Sequence, residues 1–142
     1  MQDSYNNKKT ISICIPVKNE SENILAIYNE IKKLFYDKLT NYEYEIIFTD
    51  NLSSDKSFEI IKNISIKDNK VKGYQFSKDI GKERSLFYAF KNTTGDMVVQ
   101  IDCDFEDPPE LLPEFVKKWE EGYEIVHAIR KKRENSFKTY EE

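Results

Sequence analysis

One regularity constrains this chain's fold more than any other. Short β-branched runs alternate with longer segments of helical period along nearly its whole length. "ISICIP" (11–16), "YEIIFTD" (44–50), "VKGYQFS" (71–77), "DMVVQID" (96–102) and "YEIVHAIR" (123–130) have the character of strands. The intervening segments 21–39, 54–65, 82–93 and 108–122 read as helices. In the first of them Ile24, Ile27, Tyr28, Ile31, Leu34 and Phe35 recur at helical spacing. Phe58, Ile61 and Ile64 mark the inward face of the second, and Leu86, Phe87 and Phe90 that of the third. A strand followed by a helix of this length rejoins the sheet by a crossover, so neighbouring strands run parallel and both faces are covered. The pattern predicts an α/β fold, three layers thick, around a mostly parallel central sheet.

In such a sheet, ligands bind beyond the carboxyl ends of the strands, where the strand order reverses. The strands are apolar, but the segments that follow them are not: "PVKNE", "TDNLSSD", "SKDIGKE" and "DCDFEDPPE" collect the polar and charged residues. The last is the sharpest, with Asp102, Asp104, Glu106 and Asp107 in six consecutive positions. In extended geometry Asp102 and Asp104 share a face. Two neighbouring carboxylates with little basic sequence around them suit a hard divalent cation, Mg²⁺ or Mn²⁺, whose shell is completed by phosphate oxygens and water. The competing reading is a solvated turn after a strand. Asp107 has a local explanation as a helix N-cap, with Pro108 in the first helical position and Glu110 completing a capping box. Asn19 with Glu22 makes a similar box before the first helix.

At the other ends, Asp50 and Asn51 can accept from a base or ribose, or can form a turn and cap. Gly81 and Lys82 open a helix whose N-terminus favours anions, and Lys82 and Arg84 bring the positive charge the carboxylates lack. His127, the single histidine, lies in a strand and reads as structural.

Composition excludes several classes. At 142 residues the chain has the size of one domain. Its net charge of −4 disfavours nucleic acid as a partner. No run approaches the roughly 18–20 apolar residues of a membrane span, and "MQDSYNNKKT" has no apolar core of a signal peptide. Cys14 and Cys103 fall in strand-like positions without a partner at metal spacing, and read as reduced, buried thiols of a cytoplasmic protein. Residues 1–10 read as a disordered polar segment and 131–142 as a basic tail.

These motifs together resemble the family 2 glycosyltransferases, which have the Rossmann-like, nucleotide-sugar-binding GT-A fold. "ISICIPVKNESENI", "YEIIFTDNLSSDKS" and the block running from "SKDIGKERSLFYAF" to "EEGYEIVHAIRKKR" carry the likeness, which spans residues 11–138. The nearest subgroup transfers sugars to polyprenyl phosphates, as dolichol-phosphate mannose synthase and bactoprenol glucosyltransferases do. The resemblance implies a GT-A domain over residues 11–130. It further implies a donor site formed by Pro16, Val17, Lys18 and Glu20 after the first strand, and Asp50 and Asn51 after the second. Gly81 and Lys82, with Asp102 and Cys103, complete it, and Asp102 and Asp104 bind the metal. The implied reaction is inverting transfer from a UDP- or GDP-sugar to a lipid phosphate or cell-surface glycan.

The sequence departs from the family pattern at several points. Lys18 stands where "PVYNE" has Tyr, and Asn51 and Leu52 replace the Asp-Gly of "DDGS". Glu106 replaces a Gln, and Arg84 stands where Ala is common. The family continues well past this length, with acceptor-side residues, a catalytic base and often membrane helices. The chain is therefore expected to be the donor-binding part of a truncated transferase, with its base beyond residue 142 and little turnover alone. Arg130, Lys131, Lys132, Arg133 and Lys138 would bring it to the cytoplasmic face of a membrane. A non-catalytic nucleotide-binding or interaction domain is the alternative. A nucleotidyltransferase would show a Gly-rich N-terminal signature followed by Arg, which "IPVKNE" lacks.

Overall fold

The computed structural model describes residues 7–131 and 136–141. The chain divides into two compact units, Met1–Pro109 and Glu110–Glu142.

The first unit is built on four parallel strands: β1 (Lys9–Val17), β2 (Tyr42–Asp50), β3 (Val71–Gln75) and β4 (Met97–Gln100), in the order β3-β2-β1-β4. The chain moves outward from β1 to β3 and then returns to place β4 on β1's other side. The strand order therefore reverses at β1 and β4. Right-handed crossovers put α1 (Ile24–Asp37) and α2 (Ser57–Lys67) on one face and α3 (Lys82–Lys91) on the other. Ile11, Ile13, Ile15, Ile46, Ile47 and Phe48 are fully buried in the central strands. Each such side chain contributes about 1.5–3 kcal/mol relative to exposure.

Helix α1 buries the six residues its periodicity predicts, and α2 buries Ile61 and Ile64 with Phe58 half-buried. Helix α3 differs from expectation. Phe87 and Phe90 are 61% and 41% exposed, and Leu86 is half-buried. Ser85 and Ala89 are the residues that meet the sheet, with Ala89 packed on Cys14 and Ile47. Two small residues one turn apart bring the helix backbone close to the strands, which turns the larger side chains outward.

On this face a single carboxylate links three strands of the sheet and the segment leading into the fourth. Glu45 of β2 accepts from Ser12 of β1 at 2.6 Å, from Lys72 of β3 at 2.8 Å, and from the amide of Thr94, just before β4, at 2.9 Å. Burial alone would push its carboxyl up, but the Lys72, Ser12 and Thr94 bonds outweigh it and hold the group below its ordinary value. Cys14 lies nearby, pushed up to about 12 by burial and then by Glu45.

The second unit holds α4 (Leu112–Glu120), preceded by a 3-10 turn (Pro109–Leu111), and an antiparallel pair, β5 (Val126–Lys131) and β6 (Ser136–Glu141). Here the sequence expectations need three corrections. The fifth strand does not extend the parallel sheet. The presumed tail contains β6. The helix starts at Leu112 with Leu111 as its cap and no capping side chain, so Asp107 is not its N-cap. At the N-terminus the strand begins at Lys9, inside the segment read as disordered, and residues 1–6 lie outside those described. Lys132 and Arg133 of the basic cluster also lie outside them. Among the described residues no helix is long and apolar enough to cross a membrane.

Candidate functional site

Beyond the carboxyl ends of β1 and β4, where the strand order reverses, lies a cleft of about 150 Å³. Pro16 and Val17 at the end of β1 form one wall, with Lys18 and Glu20 from the following loop. Asn51 enters from β2's end, Lys82 and Ser85 from the start of α3, and Asp102, Cys103 and Asp104 from the segment after β4. All four loops marked by sequence thus contribute to one place.

Asp102 and Asp104 reach the cleft from a turn. Strand β4 ends at Gln100, and Phe105 at φ 62° reverses the chain just beyond. The alternation of an extended strand is therefore not what brings the pair together. Asp104 Oδ1 accepts from the Glu106 amide at 3.0 Å, which holds the turn closed. Asp102 Oδ1 is buried, and among the described residues the charged group that faces it is Lys82. The Lys82 ammonium lies 2.9 Å from it, a salt bridge that neutralises this oxygen. Asp102, then Asp104 and Asp107, hold the Lys82 ammonium above its ordinary pKa against the opposing effect of burial.

Cys103 forms part of the cleft wall with its thiol pushed up to about 12, by burial first and then by Glu20, Asp104 and Asp102. Burial and the raised pKa disfavour the thiolate that a nucleophile or soft metal ligand needs. No group of three His, Cys, Asp or Glu residues among those described is placed to hold a metal. Two carboxylates, one of them neutralised only by a half-exposed ammonium, fit a hard cation that takes its remaining ligands from a diphosphate and water. They do not fit a cation held by protein alone.

Three of the departures from the family pattern, Lys18, Asn51 and Leu52, form one network. Lys18 donates to the carbonyls of Asn51 at 2.9 Å and Leu52 at 3.1 Å, and lies 3.5 Å from Asp79. Asn51 donates to Asp79 at 2.6 Å and accepts from the Ile80 amide at 2.8 Å. Leu52, where the family pattern has Gly, takes φ 55°. These residues thus tie the loop after β2 to the loop after β3. Asn19, read from sequence as a cap, instead accepts from the Ser54 amide at 2.8 Å, and α1 begins only after Asn23.

Two predicted site residues lie off the cleft wall. Asp50 is fully buried, and its carboxylate accepts from Ser53 Oγ at 2.5 Å and Gln75 Nε2 at 3.0 Å. Gly81, at φ 82°, is the residue before α3. Sequence reasoning missed Ser85, whose hydroxyl donates to Thr49 at 2.9 Å. A polar residue among the apolar positions of that helix was its one available signal.

The sequence profile described as Glycosyl transferase family 2 matches residues 12–142. The chain belongs to glycosyl transferase family 2. This family 2 chain is 37% identical over 123 residues to the bactoprenol glucosyl transferase of Shigella phage SfX, covering 87% of the chain and 40% of that protein. The glucosyl-3-phosphoglycerate synthase of Mycobacterium tuberculosis, solved with Mn²⁺, UDP and glucosyl-3-phosphoglycerate, is similar at TM-score 0.57 and 27% identity. That likeness covers 78% of this chain and 39% of the synthase chain. The mannosyltransferase PcManGT of Pyrobaculum calidifontis has the same fold at TM-score 0.72 and 18% identity, over 89% of this chain and 37% of its own. The fold is GT-A, Rossmann-like, as the sequence resemblance implies. The chain spans about two fifths of the curated relatives it matches, 37% and 40% for the first two.

Proposed function

We propose that this chain is the donor-binding part of an inverting, metal-dependent glycosyltransferase that takes a sugar from a UDP- or GDP-sugar. The observation that carries the proposal is the pair of carboxylates Asp102 and Asp104 in the cleft at the strand-order reversal of a family 2 chain. In this reading Asp102 and Asp104 hold Mg²⁺ or Mn²⁺. Bound there, the ion neutralises charge that builds on a departing nucleoside diphosphate. Pro16 and Val17 pack beside the nucleotide. The Lys18–Asn51–Asp79 network holds two loops in register for it, and Lys82 offers a cation to the phosphates. Asp50 acts on the nucleoside side of the site through the loop after β2, whose Ser53 it holds. A cleft of about 150 Å³ takes the diphosphate and metal, while the sugar projects outward to the acceptor.

The acceptor is proposed to be a polyprenyl phosphate, in keeping with the bactoprenol glucosyl transferase likeness. A phosphate oxygen is already anionic near neutral pH, so in-line attack on the anomeric carbon asks little of a general base. The reduced, buried thiols agree with action in the cytoplasm or at the cytoplasmic face of the membrane.

The test is transfer of radiolabel from UDP-glucose or GDP-mannose into vesicles containing polyprenyl phosphate, with Mn²⁺ present. Label that enters the lipid only when both metal and polyprenyl phosphate are present supports the proposal. Metal-dependent nucleotide binding without transfer is the result expected of the donor-binding part by itself, and nucleotide binding that is the same with and without Mn²⁺ overturns the proposal.

A further inference from the structure

Lys82 is placed in a way that its role as a phosphate contact does not explain. Its ammonium forms a 2.9 Å salt bridge to Asp102 Oδ1, a buried oxygen of the aspartate pair. Lys18, the other cation on the cleft wall, is engaged by the carbonyls of Asn51 and Leu52 and lies beside Asp79. Lys82 alone among the described wall residues therefore balances the aspartate pair. It does so loosely, because its side chain is 58% exposed and grows from the first residue of α3. The preceding Gly81 has open space where a side chain would be.

An ammonium and a divalent cation cannot both hold the same carboxylate oxygen without strong repulsion. We propose that Lys82 is a placeholder for the metal: it neutralises Asp102 while the site is free of metal, and the ion displaces it onto the incoming diphosphate. Metal alone must evict a cation that then has no anion to meet. Metal arriving with a diphosphate gives that cation a new partner. Lys82 is in this way a positioning residue that makes the two ligands bind cooperatively, so neither a lone cation nor a lone nucleotide fills the site well. The inference rests on the donor-site reading above and specifies how that site loads.

The experiment is Mn²⁺ titration followed by electron paramagnetic resonance of the free ion, with and without UDP or GDP. The proteins are the wild type, Lys82→Met, Lys82→Arg and Asp102→Asn, with folding checked by circular dichroism. In the wild type, nucleotide should tighten Mn²⁺ by about tenfold or more. Lys82→Met should bind Mn²⁺ alone about tenfold more tightly than wild type and lose most of the nucleotide effect. Lys82→Arg should keep it. Weaker or unchanged Mn²⁺ binding in folded Lys82→Met overturns the placeholder role while leaving the donor site standing. Absence of Mn²⁺ binding in the wild type, even with nucleotide, overturns both.

Discussion

Leu52 shows at a single residue what a departure from the family pattern costs. It holds φ 55°, a left-handed conformation that a residue with a Cβ adopts at about 1–2 kcal/mol, and its side chain is 43% exposed. Lys18 fixes its carbonyl and keeps it there. Leu52→Gly should therefore stabilise the protein, by about 0.5–1 kcal/mol once glycine's entropy in the unfolded chain is counted, seen as a higher melting temperature. Glu45 makes the opposite case. Folding lowers its pKa, so it adds stability that is fully present above its ordinary value of 4.5 and is lost as pH falls through the folded value. Glu45→Gln should cost about 1–3 kcal/mol at neutral pH and flatten the acid limb of stability below about pH 4.5, measured by urea unfolding across pH. Neither role was legible in sequence. Asp102 and Asp104 were, because their chemistry shows in residue type alone, whereas Leu52 and Glu45 act through partners far along the chain.

At the scale of elements, periodicity was a reliable guide wherever burial was deep. The six-residue stripe of α1 is buried as predicted because one wide apolar face meets the sheet. The prediction for α3 failed because close approach, not bulk, decides its inner face, which is Ser85 and Ala89. Cap signals were the least dependable. Asn19 and Asp107 have the right residue types, but Asn19 is taken by a loop bond spanning 35 residues and α4 starts beyond Asp107. The strand β6 was hidden by its charge, which made 131–142 read as a tail. Close approach also sets a prediction before β4. A Cβ on Gly95 would meet the Thr10 carbonyl oxygen at 2.8 Å and the Ser12 nitrogen at 2.9 Å, both backbone, with Ser12 Oγ at 2.5 Å. Gly95→Ala should cost about 1–3 kcal/mol. Gly81→Ala, with nothing within 4 Å but φ 82° and ψ 158°, should cost only the backbone strain, about 1–3 kcal/mol. Chemical denaturation of the two variants side by side separates clash from strain.

For the whole molecule, topology fixes where chemistry can occur. A four-stranded parallel sheet whose order reverses at β1 and β4 creates a crevice there, and family 2 membership agrees with its use for a nucleotide. The alternation of strand and helix made that architecture readable, and the polar strand ends marked the crevice. Which nucleotide enters was not readable, because Lys18, Asn51 and Asp79 converge only after folding. The central claim is that Asp102 and Asp104 bind a metal that joins a nucleoside diphosphate to the protein. Isothermal titration calorimetry with UDP and with GDP, in the presence and absence of Mn²⁺, tests it most directly when run on the wild type and on a doubly substituted Asp102→Asn, Asp104→Asn protein. At least one nucleotide should bind the wild type only with Mn²⁺, and the folded double variant should show no binding. Nucleotide binding that is equal with and without Mn²⁺, or unchanged in the double variant, would contradict it.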